Sequence, residues 1–210
     1  MSQVSTQSPK HCANKGLNFN KLYKRLFFAS SALFTSVLSL VLLIWLILRP
    51  TKPEFSIKQF DIYQLNLSAP NLLNSSIQVS LQSRNANQKV GVYYDDFQVY
   101  AVYKSQQITT YTSLPPFYQG HEETNILTAS LIGTGLPVAP SFGYEVGRDQ
   151  AAGRLVINLK ANGRLRWKVG TWVSGRYRFA VSCAAVLPFG PNIPAAPLSS
   201  KQGTECSTTV

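Results

Sequence analysis

Two histidines and nine carboxylates are what the 210-residue chain offers for acid–base or metal chemistry. His11 lies near the start, and His121 sits in Gly120-His121-Glu122-Glu123. One imidazole beside two adjacent carboxylates falls short of the tetrahedral ligand set that zinc takes. Neighbours in an extended chain also point to opposite sides, so Glu122 and Glu123 do not converge as an acid–base pair. All three read as a solvated loop. Gly133-Thr134-Gly135 lacks the strand-to-helix setting of a phosphate loop. No Gly-x-Ser-x-Gly elbow occurs, and Gly147-Arg148-Asp149 reads as a turn. The chain therefore reads as a non-enzyme, with no catalytic residue, cofactor or metal assigned.

The side chains whose spacing does carry chemistry are cations. Arg164, Arg166 and Lys168 alternate with Leu165, Trp167 and Val169, and Arg176 and Arg178 alternate with Tyr177 and Phe179. In strands, such alternation puts the cations on one face and the apolar residues on the other. If the two strands pair through the 170–175 connection, five cations share one exposed face. No acidic residue lies between Gln150 and Lys201 to neutralise it. Such a face attracts anionic lipid headgroups or acidic wall polysaccharide. The other reading is a solvated face whose charges block edge-to-edge aggregation.

Positioning these residues requires strands. Ile77, Val79 and Leu81 recur every second residue, as do Phe97, Val99, Ala101 and Tyr103. The period continues in Leu155, Ile157 and Leu159, in Leu165, Trp167 and Val169, and in Tyr177, Phe179 and Val181. Further strand-like runs lie near residues 55–67 and 126–131, giving about seven in all. Turn residues punctuate them: Asn85-Ala86-Asn87, Tyr94-Asp95-Asp96, Pro115-Pro116, Gly133-Thr134-Gly135 and Ser174-Gly175. Asn162-Gly163 is either a hairpin turn or a bulge within one long strand. No helical stripe of useful length follows residue 53, and residues 188–210 read as irregular surface chain. The pattern predicts an all-β antiparallel sandwich of immunoglobulin or fibronectin III type over residues 49–210.

Residues 26–48, LFFASSALFTSVLSLVLLIWLIL, carry no charge. At 1.5 Å per residue they make a helix of about 34 Å, enough to cross a bilayer. The run is longer than a signal-peptide core, and the following Arg49-Pro50-Thr51-Lys52-Pro53 offers no small-residue cleavage site, so an uncleaved signal anchor is expected. The 1–25 tail holds Lys10, Lys15, Lys21, Lys24 and Arg25 and no acid, against Arg49, Lys52 and Lys58 diluted by Glu54 on the other side. The positive-inside bias predicts a cytosolic N-terminus and a translocated C-terminal domain, which speaks against nucleic acid as a partner. Two glycosylation sequons, at Asn66 and Asn74, fall in the translocated part. So do Cys183 and Cys206, expected to form a disulfide, whereas Cys12 is left in the tail as a free thiol or a palmitoylation site.

Several motifs in order resemble a known family. They are Arg49-Pro50-Thr51-Lys52-Pro53, Arg84-Asn85-Ala86-Asn87, Val90-Gly91-Val92-Tyr93-Tyr94-Asp95, Leu114-Pro115-Pro116-Phe117-Tyr118-Gln119-Gly120-His121, Arg166-Trp167-Lys168-Val169-Gly170-Thr171-Trp172, and Val181-Ser182-Cys183 with Cys206. The set is similar to plant NDR1/HIN1-like proteins, which carry a late-embryogenesis-abundant type 2 domain. Asn85-Ala86-Asn87 stands where that family has Asn-Pro-Asn. The resemblance implies a plasma-membrane protein whose β-sandwich faces the cell wall, associated with pathogen defence, the hypersensitive response or abiotic stress. Its expected partners are the bilayer and a membrane or cell-wall component. A lipid-binding sandwich acting at the membrane surface is the alternative. Residues 206–210 lack the apolar tail of a lipid-anchor signal.

Overall fold

The computed structural model describes residues 19–48, 50–68, 70–190, 197–200 and 203–210. His11, Cys12, Lys10, Lys15 and Arg49 lie outside the described residues. The chain divides into two compact units, Met1–Arg49 and Pro50–Val210.

The first unit contains one helix, α1 (Phe19–Leu48). It begins seven residues before the uncharged run, because hydropathy bounds the apolar segment and not the helix. Lys21, Lys24 and Arg25 continue the same backbone as a basic first turn and a half. The stretch Asn20–Ile44 is long and apolar enough to cross a membrane. Its hydroxyls are satisfied within the helix: Ser30 Oγ donates to the Phe27 carbonyl and Thr35 Oγ1 to that of Ala32, both at 3.0 Å. That back-bonding is what makes Ser and Thr tolerable in an apolar helix.

The second unit is two antiparallel sheets built mainly from six long strands. These are β1 (Glu54–Ser68), β2 (Leu72–Arg84), β3 (Gly91–Tyr103), β7 (Thr124–Pro137), β8 (Arg154–Val169) and β10 (Tyr177–Pro188). Short strands β4 (Gln106–Gln107), β5 (Thr112–Leu114), β6 (Phe117–Gln119), β9 (Trp172–Val173), β11 (Leu198–Ser200), β12 (Thr204–Glu205) and β13 (Ser207–Thr209) complete them. One sheet runs β11-β1-β2-β7, with β12 also on β1. The other runs β13-β10-β8-β3, with β4, β5 and β6 on β3 and β9 on β8. The short strands occupy ladder positions beside β1, β3 and β10 that would otherwise be open edges.

Residues alternate between core and solvent along each long strand, as on β10, where Phe179, Val181, Cys183, Ala185 and Leu187 are buried. An aromatic cluster joins the sheets: Phe55 of one sheet stacks on Phe179 of the other with centroids 6.3 Å apart, Phe97 and Phe179 lie at 5.2 Å, and Tyr94 and Phe117 at 4.5 Å. Rings at such separations add attraction beyond area burial.

Several sequence expectations are corrected. Residues 94–96 form no turn: β3 continues through them with a bulge between Tyr94 and Asp96, which pair with the adjacent Leu165 and Arg164. The Asn162-Gly163 alternative resolves as uninterrupted strand, since β8 pairs with β3 and β10 on both sides of it. Gly133-Thr134-Gly135 is a kinked stretch inside β7, where Asn74 Oδ1 accepts from Gly135 N at 2.9 Å. A helix, α2 (Phe142–Ala151), follows β7 and contains Gly147-Arg148-Asp149. Asp149 there accepts from Tyr103 Oη at 2.8 Å and Lys104 Nζ at 2.9 Å. This helix buries Phe142, against Tyr103, and half-buries Val146 one turn on, an apolar stripe too short to read.

The C-terminal chain is likewise ordered as short strands where it is described. Its β12 joins one sheet and β13 the other, with Cys206 between them bonded to Cys183 of β10. Cys206 N also donates to the Phe55 carbonyl at 2.9 Å, and Lys52 Nζ to that of Thr208 at 2.9 Å. The tail thus staples both sheets across their edges.

Gly163 carries the tightest packing constraint on β8. It lies between Phe97 and Phe179 in register, and a Cβ there would overlap the Asp96 carbonyl and press on the Phe179 ring. Gly163→Ala is expected to cost on the order of 3 kcal/mol, because backbone must move. Gly147→Ala, in open space on α2, is expected to be neutral or stabilising by up to about 1 kcal/mol. Thermal denaturation of both variants checks the contrast. The bridge closes a separation of 23 residues, worth roughly 3 kcal/mol by loop entropy. Reductant should therefore lower the melting temperature of the wild type and leave a Cys183→Ser/Cys206→Ser protein unchanged.

Candidate functional site

The five cations expected on one face are brought together. On β8, Leu165 and Trp167 turn inward and are buried, so Arg164, Arg166 and Lys168 turn outward. β10 runs antiparallel beside it with Arg178 opposite Arg164. Arg176, just before β10, reaches the same carboxylate as Arg166.

The expectation that nothing neutralises this face is overturned. The acids come from β3, far away in sequence. The bulge sets Asp95 and Asp96 consecutively on the outer side. Arg166 grips Asp95 with two nitrogens, Nη2 to Oδ1 at 2.6 Å and Nε to Oδ2 at 2.9 Å, and Arg176 Nε donates to Oδ2 at 3.2 Å. Arg164 Nε lies 3.8 Å from Asp96 Oδ2, an ion pair without hydrogen-bond contact. The hydrogen bond from Arg166 holds the Asp95 carboxyl below the usual carboxylate range against the opposing effect of burial, helped by the charges of Arg166 and Arg176. Paired guanidiniums of this kind are fixed in place.

Lys168 sits differently. Its ammonium lies over Tyr118 at 5.0 Å and Tyr93 at 5.6 Å from the ring centroids and donates to Tyr93 Oη at 3.3 Å. The two rings are 4.6 Å apart, and the Arg166 guanidinium lies 5.4 Å from the Tyr93 ring. These are cation–π distances. Tyr118 lies across Gly91, where any side chain would overlap it. Gly170, with φ +56°, turns β8 into β9 and leaves Trp172 exposed at the tip. The site is therefore a basic and aromatic face on which two carboxylates hold three arginines.

Most residues of the family-like motifs lie inside the fold. Asn85 Nδ2 donates to the carbonyls of Val90 at 2.7 Å and Gly120 at 2.8 Å, and its Oδ1 accepts from Asn87 Nδ2 at 2.8 Å. Asn87 in turn holds Thr51, accepting from its N at 2.7 Å and donating to its carbonyl at 2.8 Å. Gln119 is fully buried: Nε2 donates to the carbonyls of Ser83 at 2.9 Å and Glu123 at 3.0 Å, and Oε1 accepts from Ser83 Oγ at 3.0 Å and Tyr94 Oη at 3.3 Å. Burial pushes the Tyr94 hydroxyl well above its ordinary pKa, with the Ser83 hydrogen bond opposing. Pro116 shapes the turn that delivers Phe117 to the aromatic cluster, and Trp167 is core.

His121, Glu122 and Glu123 are exposed, and among the described residues no three His, Cys, Asp or Glu side chains gather to hold a metal. Asn66 and Asn74 face each other across β1 and β2. Asn66 is exposed, whereas Asn74 is tied to Ser68 Oγ at 3.1 Å and to Gly135.

Sequence reasoning missed Asp95, Asp96, Tyr93 and Tyr118 as members of this face. A signal was present. Buried positions are even-numbered at Val92 and Tyr94 and odd-numbered at Phe97, Val99 and Ala101, a change of phase that one inserted residue produces.

Residues 80–184 match the family profile described as late embryogenesis abundant protein. Among Arabidopsis thaliana proteins, the chain is 57% identical to NDR1/HIN1-like protein 26 over 213 residues, covering 100% of both. It is 43% identical to NDR1/HIN1-like protein 1, covering 86% of this chain and 88% of that one. Protein NDR1 is 30% identical over 70% of this chain and 68% of its own. A solution structure from Arabidopsis thaliana overlaps 69% of this chain and 87% of its own, at 14% identity and a TM-score of 0.35. With its ordered motifs, its anchor-like helix and a relative matched from end to end, this chain belongs to the NDR1/HIN1-like family of late-embryogenesis-abundant type 2 proteins.

Proposed function

We propose that this chain is a single-pass plasma-membrane protein of plant defence, including the hypersensitive response, or of abiotic stress responses. Residues 26–48 anchor it with the N-terminus in the cytosol, and the β-domain works outside the cell without enzymatic chemistry. It acts by binding or adhesion, and the partner is a membrane or cell-wall component bearing negative charge.

The observation that carries this reading is the outer face of the sheet formed by β3, β8 and β10. Arg166 and Arg176 are held by Asp95, which reduces the side-chain freedom lost when a ligand arrives. Lys168 and Arg178 form no ion pair among the described residues, and Tyr93 and Tyr118 supply flat apolar surface beside Lys168. The alternative, a sandwich that opens to hold an acyl chain, gains no support from the interior. Phe55, Tyr94, Phe97, Phe117 and Phe179 fill the space between the sheets. Anionic lipid then remains a partner for the surface only. Of the two sequons, Asn66 suits a glycan better, since Asn74 already bonds within the fold.

Two outcomes test the proposal. Full-length protein with Arg164, Lys168 and Arg178 changed to Gln should lose at least about tenfold in binding to washed cell-wall material or anionic vesicles, and wild-type binding should weaken with salt. Equal binding by the variant removes the face from the mechanism. Protease added outside intact cells should remove the β-domain, and glycosidase should shift the mobility of the wild type but not of Asn66→Gln. A domain protected in intact cells yet cleaved after permeabilisation overturns the orientation.

A further inference from the structure

The same outer face holds a surface hollow of about 700 Å³ beside the bulge. Its polar lining is Asp96, Gln98, Asn162, Arg164, Arg178 and Thr209. The register explains the arrangement. Gln98 faces Asn162 on one side and only the small Ala180 faces it on the other, so the surface falls away beside Asn162. Val210 supplies apolar surface at its margin. One row further along β8, the exposed Lys160 stands between Tyr100 and Ser182, with the Tyr100 and Tyr111 rings 4.7 Å apart. Outward positions on a strand recur every ~6.8 Å, so Lys160 to Lys168 spans about 27 Å in one line. Six cations, Lys160, Arg164, Arg166, Lys168, Arg176 and Arg178, share this face with the carboxylates of Asp95 and Asp96.

A hollow of this volume lies in the range of small-ligand sites. Its groups ask for two kinds of partner at once. Guanidiniums take a carboxylate, whereas side-chain amides and a hydroxyl both donate and accept, which suits neutral hydroxyl groups. The line of cations asks for a ligand that repeats along one direction.

We propose that the hollow binds a uronate ring of a linear acidic polysaccharide. Arg178 and Arg164 meet the ring carboxylate, Gln98 and Asn162 read its hydroxyls, and Lys160 and Lys168 hold carboxylates of rings on either side. The assignment rests on the outer face being a binding surface, as proposed above. It goes further in naming the ligand class and in making Gln98 and Asn162 specificity-determining residues. A bilayer surface suits the hollow less well, since its lining is mostly amide, hydroxyl, guanidinium and one carboxylate, not the apolar side chains that enter a headgroup layer beside cations.

The test uses the full-length chain in phosphatidylcholine nanodiscs. It is titrated with a hexamer of α-1,4-linked galacturonate, the methyl ester of that hexamer, a neutral cellulose hexamer, and the soluble headgroup glycerophosphoserine. The free galacturonate hexamer should bind, and the ester and the neutral hexamer should bind at least about tenfold more weakly. Gln98→Ala with Asn162→Ala should weaken the galacturonate hexamer about tenfold while leaving the melting temperature unchanged. If glycerophosphoserine binds as tightly as the hexamer, or the amide variant binds the hexamer as wild type does, the saccharide assignment falls while the binding role of the face stands, provided Arg164→Gln/Lys168→Gln/Arg178→Gln still abolishes binding. If that cation variant binds every probe as wild type does, both fall.

Discussion

One extra residue in β3 organises the face on which the proposed function depends. Without the bulge, Asp95 and Asp96 would point to opposite sides, and one of them would meet the aromatic core. With it, both stay outside, in reach of Arg164, Arg166 and Arg176. The displaced Asp96 carbonyl then presses toward β8 at the one residue without a side chain, Gly163. That residue also lets the Phe97 and Phe179 rings approach over it. A glycine in a central strand ordinarily weakens it. Here it permits the bulge outside and ring packing inside, so the charge pattern and the core share one backbone position.

The phase of the hydrophobic alternation made much of this legible. On β8 the inward positions keep odd numbering from Leu155 through Trp167, but the sequence left Asn162-Gly163 open between turn and bulge, and only the pairing on both sides makes it continuous strand. On β1 the buried positions move from odd at Phe55 and Ile57 to even at Phe60 and Ile62, and the register breaks between Ile57 and Gln59. Alternation therefore located the long strands, and its phase changes, unread in the sequence, coincide with the irregularities. Composition misled where it was read as punctuation: Tyr94-Asp95-Asp96 and Gly133-Thr134-Gly135 look like turns but lie inside strands. Pairing partners distant in sequence were not legible. The acids that neutralise part of the basic face are about 70 residues away from it, and charge counted over residues 150–201 could not include them. Helix α2 escaped notice because it docks through only two apolar side chains, Phe142 and Val146.

The family-like motifs divide by location. Asn85, Asn87, Gln119 and Tyr94 are buried, and their polar atoms meet one another or backbone groups around the 85–90 and 120–123 loops. An unsatisfied buried amide costs about 1–3 kcal/mol, so each partner in such a network constrains the others. The motifs therefore mark how loops are tied to strands, and the second asparagine ties Thr51, the start of the domain, into the same network. Ala86, where the family has proline, gives up a rigid φ, but the side-chain bonds of its two neighbours hold the turn without it.

Family membership thus speaks mainly for the scaffold, and the distinguishing chemistry lies on the exposed positions between the motif residues. The two kinds of cation on that face differ in what they can give a ligand. Arg166 and Arg176 are bound to Asp95, so an arriving anion must compete with an existing carboxylate and gains little charge there. Their contribution is a fixed surface. Lys160, Lys168 and Arg178 hold no such partner among the described residues, and they stand along and beside one strand at regular intervals. Net attraction therefore arises at spaced points, separated by neutral amide and aromatic side chains, instead of over a uniform positive patch. A diffuse anionic surface would make little use of that spacing. A ligand whose charges repeat along a chain, with polar groups between them, would use all of it.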